Sequence, residues 1–257
     1  MQDLFSLKNK KAVVVGGAGG MGTAIATGLV ANGADLAIAD ISVPGLEKAA
    51  AAITEKTGAA VRTYTVDGKD EASVQALLAN AIKDLGGVDI LFNAQGINFK
   101  APATEYPMDE WDKLFSVNVK SVMLCAKIFG AHFAEQGHGK IVSLSSVRGQ
   151  RGALGGNSGY CATKGAVDMI TRQLACELAP KNVQVNALGP IITVTPMTEQ
   201  RIKDEWARYE RMLQNVPMGR LATVEDLVGP AVFLASAASD FITGTILYVD
   251  GGMMAFA

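Results

Sequence analysis

The segment Lys11–Gly22, reading KAVVVGGAGGMG, restricts the possible fold more than any other stretch of the chain. The short apolar run Lys11–Val15 reads as a buried strand, and Gly16, Gly20 and Gly22 follow at once. Thr23–Asn32 then carries a helical pattern that Gly33 stops. Strand, glycine turn and helix N-terminus in that order form a seat for a pyrophosphate. Glycines let the backbone approach the phosphates, and the free N–H groups and positive dipole end of the helix complement their charge. Tight packing alone can also demand glycine, so the turn by itself leaves both readings open.

The rest of the chain repeats this alternation. Strands at Asp35–Ala39, Ala60–Val66, Val88–Phe92, Lys140–Leu144, Val183–Ala187 and Thr245–Val249 are interleaved with helices at Gly45–Lys56, Glu71–Leu85, Asp109–Gln136, Ser158–Leu178, Thr198–Asn215 and Val224–Ala237. The pattern predicts an α/β fold, a doubly wound parallel sheet flanked by helices on both faces. No linker, internal repeat or low-complexity tract interrupts residues 1–257. One domain is expected, and a hydrophobic content of 49% is enough to fill its core. Thr198–Asn215, with Ile202, Trp206, Tyr209 and Leu213 along one side, fits either a core face or a lid over a substrate.

Charge and cysteine usage narrow the function classes. A net charge of -2 gives no electrostatic reason for nucleic acid or an anionic membrane as partner. No apolar run reads as a bilayer span. Cys125, Cys161 and Cys176 lack metal-type spacing and His132 and His138 stand alone, so no metal site is expected. Free thiols suit a reducing compartment, and the cytoplasm is the expected address.

Two acids lie at strand ends. Asp40 closes the second strand at about the spacing where a dinucleotide fold places a carboxylate on the adenosine ribose. It would accept bonds from the ribose hydroxyls and repel a 2′-phosphate. With Ile41 next and no Arg or Lys in the glycine turn, NAD is expected over NADP; a turn or cap aspartate is the alternative. Asp67 follows the third strand, at a ligand edge or capping the helix near Glu71.

Tyr160 and Lys164 stand four residues apart in the helix Ser158–Leu178, on one face. An ammonium beside a phenol stabilises the phenolate, lowering the tyrosine pKa and suiting it to general acid–base work. Taken alone, the pair is also ordinary helical surface.

In order along the chain, Gly16-x-x-x-Gly20-x-Gly22, Asp40, Ser146 and Tyr160-x-x-x-Lys164 together resemble the short-chain dehydrogenase/reductase family. Gly219-Arg220, Thr243-Gly244 and Val249-Asp250-Gly-Gly252 are similar as well, so the resemblance spans nearly the whole chain. It implies a Rossmann-type fold and an NAD-dependent oxidoreductase acting on CH–OH groups. Tyr160 would be the acid/base, Lys164 would tune it and touch the nicotinamide ribose, Ser146 would bind the substrate oxygen, and Asn118 would support a water leading to Lys164. Gly16, Gly20 and Gly22, with Met21 among them, would cradle the pyrophosphate. Asp67 would contact adenine, Asn93 and Gly96 would line the adenosine side, and Pro190, Thr193 and Thr195 would flank the nicotinamide. Ser145 competes with Ser146 for the serine role. Val15, Gln95, Ile191 and Thr193 depart from the family's usual residues and bear on cofactor geometry. Family members commonly pair through two long helices, here Asp109–Gln136 and Ser158–Leu178, so a homo-oligomer, dimer or tetramer, is expected.

Substrate identity rests on the loops. Arg148, Gln150 and Arg151 lie between Ser146 and Tyr160, and Asn98 and Asn157 offer amides. Arginine holds a carboxylate by two parallel hydrogen bonds, and amides suit sugar hydroxyls. A polyol, sugar or sugar acid is the expected small-molecule substrate, unless the arginines are solvated or lie at a subunit contact. Two other readings compete: a ketoacyl- or hydroxysteroid-type reductase on the same fold, and a protein that senses NAD without turnover.

Overall fold

The computed structural model describes residues 3–256. In chain order the main elements begin with β1 (Lys11–Val15), α1 (Gly20–Ala31), β2 (Asp35–Asp40), α2 (Val43–Thr57), β3 (Arg62–Thr65), α3 (Glu71–Leu85) and β4 (Ile90–Asn93). There follow α4 (Met108–Phe115), α5 (Ser121–Gln136), β5 (Gly139–Leu144), α6 (Ser158–Leu178), β6 (Val183–Pro190), β7 (Thr193–Val194) and α7 (Pro196–Asp204). The last are α8 (Trp206–Leu213), β8 (Ala222–Thr223), α9 (Val228–Ala235) and β9 (Ile246–Val249). Seven strands form one sheet in the order β3-β2-β1-β4-β5-β6-β9, every neighbouring pair parallel. The doubly wound α/β architecture expected from the alternation is present.

The period of two along β1 divides its side chains between two cores. Ala12 and Val14 join Ile25, Leu29, Ile53 and Leu234 under α1, α2 and α9. Val13 and Val15 join Leu77, Phe129, Phe133 and Leu174 under α3, α5 and α6. Phe129 and Phe133 are wholly buried and meet edge to face, so truncating either to alanine would cost about 3–5 kcal/mol. Local chemistry sets the helix starts: Ser42 caps α2 by accepting from Gly45 N–H at 3.2 Å, and Asp70 caps α3 through Ala72 N–H at 3.3 Å.

The structure departs from sequence expectation in several places, among them the helix expected over Val224–Ala237, which is α9 (Val228–Ala235) between short 3-10 turns, and the third strand, which is only Arg62–Thr65. The first helix begins at Gly20, so the last glycines of the turn already belong to it. The long helix contains a π turn, Ser116–Lys120, between α4 and α5; it swings Asn118 fully inward. Thr198–Asn215 is two helices broken at Glu205, because the polar α7 rests on its own Thr195–Thr198 capping box and exposed Trp206 does not anchor a common axis. The apolar span Met108–Gln136 is also long and apolar enough, by length and composition, to cross a membrane, contrary to the sequence reading. Its apolar surface is used here against α3, β5 and α6.

Reversal of strand order between β1 and β4 leaves a crevice at the carboxyl ends of the strands, the usual ligand position in such sheets. The loops after β1, β4, β5 and β6 all open at that end.

Candidate active site

The glycine turn after β1 is shaped for a close-lying ligand. Gly16 has φ +78°, and a Cβ there would overlap the Gln95 backbone; a Cβ on Gly22 would overlap the Gly16 carbonyl oxygen. Helix α1 starts here with no side-chain cap and no acid in its first turn, so its N–H groups and positive end face the crevice unopposed. A bare helix N-terminus behind a turn that admits only glycine fits a pyrophosphate. Thr195 closes over the turn: a Cβ on Gly20 would stand 2.9 Å from its Cβ. Met21 instead packs into the core beneath α1.

The other expected cofactor residues, Asp40, Asp67, Asn93, Gly96, Pro190 and Thr193, lie at or just beyond the carboxyl ends of β2, β3, β4 and β6. Asp40 accepts from Ala18 N–H at 3.3 Å and Ser42 N–H at 3.1 Å, tying β2 to the glycine turn while its side chain keeps partial exposure. Asp67 is not the cap of α3, which Asp70 supplies; it accepts from Lys69 N–H at 3.0 Å and stays half-exposed. Buried Asn93 lies opposite Val15 in the sheet and donates to Ser143 Oγ at 3.3 Å. Gly96 sits beside both Asn118 and Lys164. Ser146 donates to Pro190 O at 3.3 Å, and Thr193 Oγ1 donates to Ile191 O at 3.0 Å. Gln95, one of the departures from the family pattern, donates from Nε2 to Ser121 Oγ at 3.2 Å, whereas its Oε1 is buried without a partner.

Ser146, Tyr160 and Lys164 come together at the carboxyl end of β5. Lys164 is 4% exposed, and its ammonium donates to Leu144 O at 2.6 Å and lies 5.6 Å from the centroid of the Tyr160 ring. Burial pulls its pKa down to about 8, and the Asp168 carboxylate opposes that fall. Tyr160 reverses the expectation drawn from spacing: its pKa is raised, not lowered. Desolvation dominates, outweighing the Ser146 hydroxyl and the Arg148 charge that draw it down, and the ammonium is bonded to Leu144 rather than to the phenol. Asn118 bridges the site's walls. Its Oδ1 accepts from Ile97 N–H at 2.8 Å, and its Nδ2 donates to Ile97 O at 2.9 Å and Thr163 Oγ1 at 3.1 Å. The loop after β4 is thereby pinned to α6.

The candidate substrate residues separate. Arg148 donates to Gly152 O at 2.8 Å and borders Tyr160. Arg151 turns away, donating to the carbonyls of Met253 and Phe256 in the C-terminal segment. Asn157 is buried at the start of α6, its Nδ2 3.4 Å from Leu154 O. One buried group went unread in the sequence: Asp168, 1% exposed, accepts from Ser145 Oγ and from Gln150 Nε2 at 3.4 Å. Its signal was available, since it stands four residues after Lys164 on the same helical face.

The fold and this cluster define a nicotinamide-type oxidoreductase scaffold, and comparison with known proteins agrees. The family described as enoyl-(acyl carrier protein) reductase matches residues 16–254. The 5-keto-D-gluconate 5-reductase of Escherichia coli strain K12 is 37% identical over 255 residues, 99% of each chain. The D-threitol dehydrogenase of Mycolicibacterium smegmatis is 34% identical, covering 96% of this chain and 94% of its own. A gluconate 5-dehydrogenase from Burkholderia cenocepacia J2315, solved with NADP and tartrate, matches with a TM-score of 0.93 at 33% identity over 99% of each chain. The chain belongs to the short-chain dehydrogenase/reductase family.

Proposed function

We propose that the chain is a dehydrogenase that exchanges a hydride between NAD(H) and a secondary alcohol or ketone of a sugar acid or polyol. The observation that carries this reading is the convergence of Ser146, Tyr160 and Lys164 beside the open glycine turn. Relatives named for gluconate, ketogluconate and threitol support the substrate class.

The bound dinucleotide would supply the hydride acceptor or donor. Ser146 Oγ, lodged between Arg148 N–H and Pro190 O, would hydrogen-bond the substrate oxygen and stabilise charge that develops on it. Tyr160 would take the hydroxyl proton during oxidation and return it during reduction. Its burial-raised pKa keeps the phenol protonated, as reduction requires, and a protonated Lys164 nearby would favour the phenolate required in the other direction. Asn118 would hold the loop 96–97 against α6, keeping both walls in register.

The preference for NAD rests on Asp40, whose carboxylate lies at the end of β2 with exposed Ile41 beside it. A homo-oligomer is also part of this reading: Met123 on α5 and Met169 on α6 are exposed on the two long helices. The cytoplasm fits the three free cysteines.

Following reduced-nicotinamide absorbance with NAD or NADP across polyols, aldonates, hydroxysteroids and simple alcohols tests the proposal, with Tyr160→Phe as blank. Turnover of one sugar-like compound, with kcat about 10²–10⁴-fold lower in the variant, is expected. Silence across the panel despite NADH binding would favour a sensing role.

A further inference from the structure

Three segments meet at the mouth of the cleft beside Tyr160: the loop 96–101, the loop 148–157, and the helices α7 and α8. Ala101 N–H donates to Gly156 O at 3.1 Å, which fixes the first loop against the second, and the Tyr106 hydroxyl donates to Phe99 O at 3.2 Å, which holds the first loop from its other side. The Arg208 guanidinium reaches across from α8 to the second loop; a Cβ on Gly155 would stand 3.1 Å from its Nη2. Each segment contributes cations, namely Lys100, Arg148, and Arg201 with Arg208.

The group is under-neutralised. Among the described residues, Glu205 pairs with Arg208 at 3.0 Å, while Lys100, half-buried, makes no ion pair or side-chain hydrogen bond. Burial first, then Arg208 and Arg201, hold Lys100 below the ordinary lysine range, and Glu205 only partly opposes them. Arg148 also borders Tyr160 and Cys161 and lowers the proton affinity of both. Like charges gathered in a partly desolvated cleft repel one another, and a bound anion relieves that cost.

We propose that Lys100, Arg148 and Arg208 form an anion subsite that takes the carboxylate of an open-chain sugar acid while its reacting carbon lies at Ser146 and Tyr160. The choice of a sugar acid rests on the dehydrogenase reading above; the subsite itself is testable without turnover. It selects acids over neutral polyols of the same length. Arg151, spent on the C-terminal carbonyls, takes no part.

The test is calorimetric titration of the NADH-saturated enzyme, which cannot oxidise an alcohol, with four- to six-carbon aldonates and with the matching aldonamides, which keep the shape and lose the charge. For the best-binding acid, an affinity at least tenfold above that of its amide is expected. That preference should collapse to under about threefold in Lys100→Met and in Arg208→Met, since a charged hydrogen bond is lost in each. Lys203→Met, which removes an exposed lysine paired with Glu199, should keep it. Equal binding of acid and amide by the unaltered enzyme, or a preference that survives in both variants, overturns the subsite. If the acid preference holds yet no compound of the absorbance panel turns over, the subsite stands and the dehydrogenase reading falls.

Discussion

The Ser145 hydroxyl donates to the Asp168 carboxylate, joining the end of β5 to α6 one helical turn beyond Lys164. Ser145 is therefore committed to the protein interior, and its neighbour Ser146 is the serine left to face Tyr160. Ser146→Ala is expected to lower kcat by about 10²-fold or more, as for loss of a donor to a developing oxyanion. Ser145→Ala should keep kcat within about tenfold yet cost about 1–3 kcal/mol of stability by leaving a buried carboxylate short of a partner. Steady-state rates and denaturant melts on both variants decide it. Equal losses of kcat would reverse the assignment.

Asp168 also acts electrostatically. Its charge raises the Lys164 pKa against the larger effect of burial. Asp168→Asn keeps an oxygen to accept from Ser145 but removes the charge, so Lys164 should lose its proton at lower pH. The basic limb of the kcat/KM profile is then expected to move down by up to about one pH unit. A profile superimposable on the parent's would remove Asp168 from the mechanism.

Lys164 itself costs stability. Its folded pKa, about 8, lies below the ordinary 10.5, so between those values the unfolded chain holds more protons and folding becomes more favourable as pH rises. Below about 8 both states are protonated and the whole penalty, on the order of 3 kcal/mol, is present. Lys164→Met should accordingly melt no lower than the parent at pH 7, despite the bond lost to Leu144 O. Its advantage should shrink as pH climbs from 8 towards 10.5. Melting curves across that range test this; an advantage that grows with pH contradicts it.

Asp40 governs cofactor choice in the proposed function. Asp40→Ser removes the charge facing a 2′-phosphate while leaving an oxygen for the Ala18 and Ser42 amides. The ratio of kcat/KM for NADP over NAD should rise about tenfold or more, the equivalent of roughly 1.4 kcal/mol. No change in that ratio would show that the carboxylate serves only the turn.

Much of the fold was legible because its signals are local. The buried strand at Lys11–Val15 and the boundaries of α3 and α6 depend on neighbouring residues, and the structure agrees with them, although the cap of α3 is Asp70 and not Asp67. The π turn around Asn118 and the break at Glu205 were not legible, since they depend on what the helix packs against and on what it fails to reach. In the site, the spacing of Tyr160 and Lys164 correctly put them on one face, but the direction of the Tyr160 pKa shift was misjudged. Burial is a property of all the surrounding elements, and no four-residue spacing reveals it.

By itself the sequence determined the alternating architecture, the glycine turn and which side chains are candidates for proton handling, because each follows from residue type at short range. Tertiary structure alone decided which arginine stays in the cleft and which serves the C-terminal segment. It also decided which serine is buried against an acid, and it alone brought Lys100 and Arg208 together from positions 108 residues apart in the chain. Those outcomes depend on where a side chain's nearest charges and carbonyls lie in space, and long-range packing sets that.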